Sequence, residues 1–189
     1  MDERLARYLA QVGSEDSAAA LKAAANLVSG WPTVGGDRMG SDRLASVLGF
    51  LSSQELAGAE NAHIFLNRLL PDLGDWNPED RGALIGTIMV AFPRYDDFAA
   101  KLVIAEAIGL HATGPELVAW LSEAQRRVSQ DREATVRAAW IALGEVRPED
   151  FRRRDIQQWL ERMDGDPDDG VHREASTAIE SLKRDGFWG

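Results

Sequence analysis

Histidines are the residues of this chain best suited to acid–base or metal chemistry, because the sequence contains no cysteine. His63, His111 and His172 lie 48 and 61 residues apart and fall in different predicted helix pairs. A metal site needs ligands that converge on one point, so surface or packed histidines are the better interpretation. The sequence also lacks a phosphate-binding loop, a dinucleotide fingerprint and a hydrolase nucleophile motif. We therefore expect no metal, no cofactor and no catalytic residues.

The densest group of carboxylates lies at residues 164–170, which read Asp-Gly-Asp-Pro-Asp-Asp-Gly. Alternating carboxylates of this kind can surround a calcium ion. An EF-hand loop, however, needs glycine at its sixth position and glutamate at its twelfth. This chain has Asp169 and Ala175 there. The favoured interpretation is an acidic turn that caps the last helix and complements its dipole, with calcium binding as the alternative.

One short run concentrates the basic residues, and it consists of Arg152, Arg153 and Arg154. Together with Arg126 and Arg127 it could bind a phosphate or an acidic partner. Such runs are more often a solvated helical face that pairs with neighbouring acids. The acids available for this pairing are Glu149, Asp150 and Asp155.

Tryptophan is the other residue type that often carries binding energy at interfaces. Trp31 and Trp76 lie in predicted loops and Trp188 lies at the tail, so they are candidates for exposed binding residues. Loops packed beneath helices also bury aromatic rings, which leaves a structural role open. The other three recur in helical segments and are predicted core residues: Trp120, Trp140 and Trp159.

The composition is that of one globular domain, with 189 residues, 44% hydrophobic and 28% charged. The formal net charge is −10, and the acidic excess is spread along the chain. Binding to nucleic acid requires a footprint of lysine and arginine, so nucleic acid is a poor candidate partner. A basic protein partner is favoured instead, because opposite charges speed association.

Targeting features also bear on the class of protein. The N-terminal residues Met-Asp-Glu-Arg carry charge rather than the apolar core of a signal peptide, and no apolar run approaches a membrane-spanning length. We expect a cytoplasmic protein with no membrane association. The absence of cysteine excludes disulfides and thiol chemistry. Arginine exceeds lysine, and alanine and glycine are frequent, which favours a GC-rich bacterial source.

Helical periodicity dominates the chain, and no segment shows the sustained alternation of a strand. Ser14 and Ser41 are predicted caps, and Asn77 followed by Pro78 is a strong helix start. Residues 30–40 are predicted to form one long flexible loop. Ten helices are predicted, over residues 2–12, 15–29, 41–53, 54–70, 78–92, 96–109, 115–128, 131–146, 148–163 and 168–184.

Internal repetition links these helices. Residues 136–146 read Val-Arg-Ala-Ala-Trp-Ile-Ala-Leu-Gly-Glu-Val; residues 172–182 follow the same frame 36 positions later, and residues 101–110 precede it by 35. This pattern resembles the second helix of HEAT repeats, with the signature Val-Arg-x-Ala-Ala-x-Ala-Leu-Gly-x-Leu. The resemblance is clear over residues 96–184 and weaker over residues 1–70.

The HEAT resemblance implies an all-α fold, a right-handed α-solenoid of about five stacked antiparallel helix hairpins in a single domain, residues 1–189. Aromatic–leucine pairs that recur in the first helices agree with this. HEAT repeats also carry acid–arginine pairs that link adjacent repeats. By resemblance, the structural pairs here are Glu133 with Arg137 and Asp169 with Arg173.

Solenoids bind partners on the concave surface formed by their second helices. The acids available on that surface are Glu60, Glu106, Glu145 and Glu180. We therefore interpret the chain as a non-enzymatic protein-binding module or scaffold for a basic partner. An immunity or inhibitor protein is a specific version of this hypothesis. The alternative is a HEAT-like DNA alkylation-repair glycosylase, or another enzyme acting on nucleic acid, although no basic groove is evident.

Overall fold

The computed structural model describes residues 1–31, 37–148 and 151–189. Over these residues the chain forms eleven α-helices and two 3-10 helices, with no β-strand, so the predicted all-α fold is confirmed. None of the helices in these ranges is long and apolar enough to span a bilayer. The residues fall into two compact units, 1–104 and 105–189.

The first unit contains six helices and the start of a seventh. Its helices are α1 Glu3–Leu9, α2 Ser17–Ser29, α3 Ser41–Leu51, α4 Gln54–Ala57, α5 His63–Leu69, α6 Pro78–Ala91 and the beginning of α7 Phe98–His111. The 3-10 helices are Leu70–Asp75 and Phe92–Arg94. Pro78 follows an Asn77 side chain that caps α6, which confirms the predicted start of that helix.

Helices in the first unit pack in two series. Helix α1 packs against α2 and α3, helix α3 against α6, and helix α2 against α5. Phe50 of α3 and Phe65 of α5 are fully buried, with ring centroids 4.7 Å apart. The first helices of successive pairs therefore contact one another, and so do the second helices.

The helix predicted over residues 54–70 is wrong, because residues 58–62 form a turn between α4 and α5. The second of these helices begins with a cap from a distant segment. Asp97 accepts a hydrogen bond from the His63 amide at 3.0 Å and lies 2.6 Å from His63 Nδ1. A contact between residues so far apart cannot be seen in the local pattern.

Two predicted caps are also wrong. The Ser14 hydroxyl donates to a carbonyl of the preceding turn, and Asp16 occupies the cap position of α2. Ser41 is the first residue of α3, and Gly40 takes the position before it. The cap position of α2 therefore lies two residues later than predicted, and that of α3 lies one residue earlier.

The predicted loop over residues 30–40 is described in part, because residues 32–36 lie outside the described residues. Residues 37–40 are anchored on α6. The Met39 amide donates to Asp80 Oδ2 at 2.5 Å, and Asp80 is only 2% exposed. Arg38 lies 3.7 Å from Asp80 Oδ1 and 2.8 Å from Glu79. The buried carboxylate therefore fixes the entry into α3.

The second unit contains the end of α7 and four further helices. These are α8 Gly114–Ala124, α9 Ser129–Gly144, α10 Arg153–Asp164 and α11 Asp169–Arg184. Helix α8 packs on α9 and α10, helix α9 on α10 and α11, and helix α10 on α11. The unit thus contains two helix hairpins, packed first helix against first and second against second.

Arg137 links neighbouring helices, but its partner is not the predicted one. It bonds to Glu106 of α7 rather than to Glu133. Among the described residues, Glu133 forms no ion pair, and neither do Asp169 and Arg173. An i,i+4 spacing allows a pair within one helix, whereas packing here places the acid of a neighbouring helix closer to the arginine.

Candidate functional site

Helix α9 is buried on every side but one. In its second half the partly exposed residues are Arg137, Trp140, Ile141 and Gly144. Their spacing of three and four residues places them on one side of the helix. Together with Glu106 of α7, we call this surface the α9 face. It is the candidate functional site because it carries an accessible tryptophan in an ordered polar setting.

Two contacts immobilise Arg137 on this face. Its Nε donates to Glu106 Oε1 at 2.9 Å, and one terminal nitrogen lies 2.8 Å from the same oxygen. Its guanidinium carbon lies 5.1 Å from the centroid of the Trp140 ring, within range of a cation–π interaction. Both contacts are to the same oxygen of Glu106, and the side chain is 42% exposed.

Two glycines in successive repeats differ in their surroundings. A Cβ atom on Gly109 would lie 2.6 Å from the Ala138 carbonyl oxygen, so α7 packs closely on α9 there. Gly144 holds the same position 35 residues later, and a Cβ atom on it would meet nothing within 4 Å. The α9 face therefore has an open space one turn beyond Trp140.

Exposed apolar side chains lie beyond this open space. Leu110, at the end of α7, is 40% exposed, and Val146, two residues beyond α9, is 93% exposed. Arg147 ties the two segments together by donating to the carbonyls of Gly109 and Leu110. Burial lowers the pKa of Arg147, an effect that the charge of Glu145 partly opposes.

Two of the four predicted acids lie on or directly beside the α9 face, and a third lies on a helix that packs against α9. Glu106 belongs to it, Glu145 directly follows Gly144, and Glu180 is exposed on the neighbouring helix α11. Arg173 is also exposed on α11, two turns before Glu180. Glu60 belongs to the first unit and lies in the turn between α4 and α5 rather than on a helix.

The tryptophans predicted for binding are not exposed. Trp31 is 6% exposed, with Arg43 5.7 Å from its ring centroid, and Trp76 is 4% exposed. Both rings pack inward where the chain leaves a helix, so neither offers a free aromatic surface. Trp188 is half-buried, with Lys183 5.8 Å from its ring centroid.

The predicted core assignment holds for two of three helical tryptophans. Trp120 and Trp159 are 4% and 2% exposed, whereas Trp140 lies partly in solvent. Trp120 and Trp159 lie on first helices that contact one another, while Trp140 lies on a second helix. One sequence signal could have identified it: Trp140 follows Arg137 by three residues, so both lie on the same solvent-facing side of α9.

The predicted arginine cluster separates into different roles. Arg153 is half-buried and donates to the carbonyl oxygens of Leu143 and Phe187, so it fixes the tail to α9. Arg152 and Arg154 are exposed, and Arg152 lies 4.0 Å from Asp155. The other predicted partners, Glu149 and Asp150, lie outside the described residues.

Carboxylates of the acidic turn, residues 164–170, form hydrogen bonds with the protein's own backbone and side chains. Asp168 accepts from the amides of Gly170 and Val171, which confirms the predicted cap of α11. Asp166 is bonded to Arg132. In the part of the chain that the structure describes, no group of three or more histidines and acids is arranged to hold a metal ion.

One further cluster contains serine, histidine and aspartate. The Ser176 hydroxyl donates to the carboxylate of Asp164, and His172 Nδ1 lies within hydrogen-bond distance of the Asp164 carbonyl oxygen. In a hydrolase triad the histidine stands between serine and aspartate. Here the serine bonds to the aspartate directly, so the cluster links α10 to α11.

Comparison of the chain with protein-family models, with curated proteins and with solved structures finds no match.

Proposed function

We propose that this chain is a HEAT-like repeat protein that binds a protein partner through the α9 face, without catalysing a reaction. The observation that carries the proposal is the partly exposed Trp140, against which Arg137 is held by Glu106. Tryptophan and arginine are the residues most enriched at binding hot spots. A ring and a guanidinium that are already ordered lose little entropy when a partner binds.

Helix packing supports the repeat architecture in this proposal. In the second unit, α8 contacts α10 and α9 contacts α11. In the first unit, α1 contacts α3 and α2 contacts α5. Such pairing is compatible with a right-handed solenoid of about five hairpins, in which second helices form the binding surface. The α9 face belongs to one of those second helices.

A basic protein is the proposed partner, since the chain carries a net charge of −10. Glu106 and Glu145 supply acids on and directly beside the α9 face, and Glu180 is exposed on the neighbouring helix α11. Opposite charges on two proteins accelerate their association, and an aromatic side chain buried in the interface slows their dissociation. The binding would act by scaffolding or by steric occlusion, and inhibition of a basic toxin is one form of it.

Affinity capture tests this proposal. The tagged full chain is incubated with nuclease-treated lysate of the source cells, washed at low and high salt, and its partners are identified by mass spectrometry. We expect one dominant basic protein, which high salt weakens. Trp140→Ala should reduce its capture at least about tenfold, as truncation of a hot-spot tryptophan does. Tyr8→Ala, which removes a partly exposed ring of α1 in the first unit, is the control and should capture it normally.

Two results would contradict the proposal. One is equal capture by the wild-type and Trp140→Ala proteins, which would remove the α9 face from binding. The other is retention of nucleic acid in an untreated lysate with no protein partner. A fluorescence titration with abasic DNA at low salt would then test the glycosylase hypothesis.

A further inference from the structure

We infer that two copies of this chain associate through α10, with the two helices packed antiparallel about a two-fold axis near Gln158. The surface involved is the exposed side of α10, which shares no residue with the α9 face. The inference therefore does not rest on the proposed function. A symmetric pair presents two α9 faces, so a partner with two binding segments would bind the pair more tightly than it binds one chain.

The exposed side of α10 is centred on Gln158. Four charged residues surround this glutamine and are likewise exposed: Arg154, Asp155, Glu161 and Arg162. Arg154 and Glu161 lie about two turns apart along one edge of this side, and Asp155 and Arg162 lie about two turns apart along the other. Each edge therefore carries one positive and one negative charge, and the order is reversed between the edges.

The spacing of these charges leaves them without partners inside the helix. Oppositely charged side chains stabilise a helix when they lie three or four residues apart. Along the exposed side, each of the four charges meets the neutral Gln158 at that spacing instead. Arg154 and Glu161 also form no ion pair with any other residue that the structure describes.

The second edge is only partly neutralised by its surroundings. Asp155 lies 4.0 Å from Arg152, and the side chains of both are largely in solvent. Arg162 contacts a neutral group: in the orientation of the Gln125 amide that satisfies both of its polar atoms, its oxygen accepts from Arg162 Nε at 3.0 Å. The two terminal nitrogens of Arg162 remain for a partner carboxylate.

Two copies in antiparallel orientation satisfy all four charges. When antiparallel helices face each other about a two-fold axis, a residue meets the residue that lies two turns away on the same edge of the other helix. Arg154 of one copy then meets Glu161 of the second copy, and Asp155 meets Arg162. Symmetry repeats both contacts. A parallel pair would bring like charges together, so the pattern selects the antiparallel orientation.

A recess beside α10 provides space for one of these contacts. Its volume is about 190 Å³, and it lies between α8 and α10, with Ser122, Asp155 and Arg162 among its lining residues. A space of this size has room for several water molecules, and hence for a guanidinium group. Arg162 of the second copy can therefore enter the recess and reach Asp155.

The net charge of −10 opposes the approach of two copies. At physiological salt the Debye length is about 8 Å, so distant charges are screened while charges in contact are screened much less. Each exposed ion pair contributes little, so the dimer should be weak. We expect a dissociation constant of about 10–100 μM, as in transient complexes.

Charge reversal on one edge tests the inference in the full chain. Arg154→Glu and Glu161→Arg each oppose like charges, so each should raise the dissociation constant of the dimer at least about tenfold. An equimolar mixture of the two variants should pair as strongly as wild type, because each edge then meets its opposite. Sedimentation equilibrium at physiological salt measures the mass relative to the 20.8 kDa of one chain.

Arg173 and Glu180 of α11 provide the matched control. They are also exposed, oppositely charged and two turns apart, but no second pair of this kind lies beside them. Arg173→Glu and Glu180→Arg should leave the dissociation constant within about twofold of wild type.

Neither test variant should unfold α10. Arg154→Glu places an acid in the first turn of the helix and Glu161→Arg places a base in its last turn, so both should keep the wild-type melting temperature. Glu161→Arg also reduces the net negative charge, so long-range repulsion does not explain a weaker dimer of this variant.

Three results would overturn the inference: a wild-type chain that stays monomeric at about 200 μM, a dimer that neither reversal weakens, or a mixture of the two variants that stays monomeric. Capture of a protein partner that depends on Trp140 would still leave the proposed function standing in each case. Loss of that dependence would reject the proposed function and would leave the dimer untouched.

Discussion

Arg132 of α9 forms two parallel hydrogen bonds with Asp166, which precedes α11. Arg132 Nε donates to Oδ2 at 2.9 Å, and a terminal nitrogen donates to Oδ1 at 3.0 Å. The two side chains are only 16% and 8% exposed. Arg132 also donates to the carbonyl of Arg127, and Asp166 accepts from the Asp168 amide. This pair ties the two hairpins of the second unit together.

Stability should depend on pH through Asp166. Burial raises the pKa of its carboxyl. The hydrogen bonds from Arg132 and the Asp168 amide, together with the Arg132 charge, lower the pKa by more than burial raises it, so the net shift is downward. Because the pKa is lower in the folded protein, the ionised carboxyl stabilises the fold fully at pH values above its unfolded-state pKa of about 3.9. This stabilisation is lost as the pH falls through the folded-state pKa. We expect Asp166→Asn to cost about 1–3 kcal/mol at pH 7.

Urea denaturation from pH 7 to pH 2.5 measures this dependence. The stability difference between wild type and Asp166→Asn should shrink below about pH 4, where the carboxyl takes up a proton in the unfolded chain before it does so in the folded protein. Asp169→Asn, in the same turn but exposed, is the control and should change stability little. A difference that stays constant down to pH 2.5 would argue against the ionic contribution.

Asp97 should be more important to the first unit than its neighbour Asp96. Its carboxylate accepts from the amides of His63 at the start of α5 and of Ala99 at the start of α7. Loss of one helix cap costs about 1 kcal/mol, so Asp97→Ala should lose about 2 kcal/mol in urea denaturation. Asp96→Ala is the control, since its amide, not its side chain, bonds to Ala57. Equal losses from the two variants would show that Asp97 does not act as a double cap.

Alanine at Gly109 and at Gly144 should change stability in opposite directions. At Gly109 the added methyl group would approach the backbone of Ala138, which cannot move away without separating the helices. Overpacking of this kind costs about 1–3 kcal/mol. At Gly144, the last residue of α9, the methyl group meets open space, and the better helix propensity of alanine should stabilise by about 0.3 kcal/mol, less than in a helix interior. Thermal unfolding of both variants checks the signs, and two changes of the same sign would contradict the packing described here.

Arg152 should be replaceable by glycine with a gain in stability. It is the only non-glycine residue with a positive φ in the described part of the chain, at φ 66° and ψ 29°, before the start of α10. A left-handed conformation costs an L-residue about 1–2 kcal/mol, part of which glycine recovers despite its greater freedom when unfolded. Arg152→Gly should therefore raise the free energy of unfolding by up to about 1 kcal/mol. Arg154→Gly, inside α10, should lower it by a similar amount, and the reverse order would contradict the strain at Arg152.

Secondary structure was largely readable from the sequence because helical periodicity and caps act over a few residues. The Asn77 and Asp168 caps bond to amides two or three residues away, so the sequence places these helix starts correctly. The break between α4 and α5 was not readable, since it depends on Asp97, which is 34 residues from His63. Local patterns carry no information about a cap that arrives from another part of the chain.

By itself, the sequence determined the all-helical fold, the recurring frame of residues 101–110, 136–146 and 172–182, and the acidic balance of the surface. Only the tertiary structure decided which tryptophans face water. Trp31 and Trp76 are buried although they lie in loops, whereas Trp140 is accessible although it lies in a repeat. Exposure depends on which helices pack around a residue, and side-chain type and spacing do not specify those neighbours.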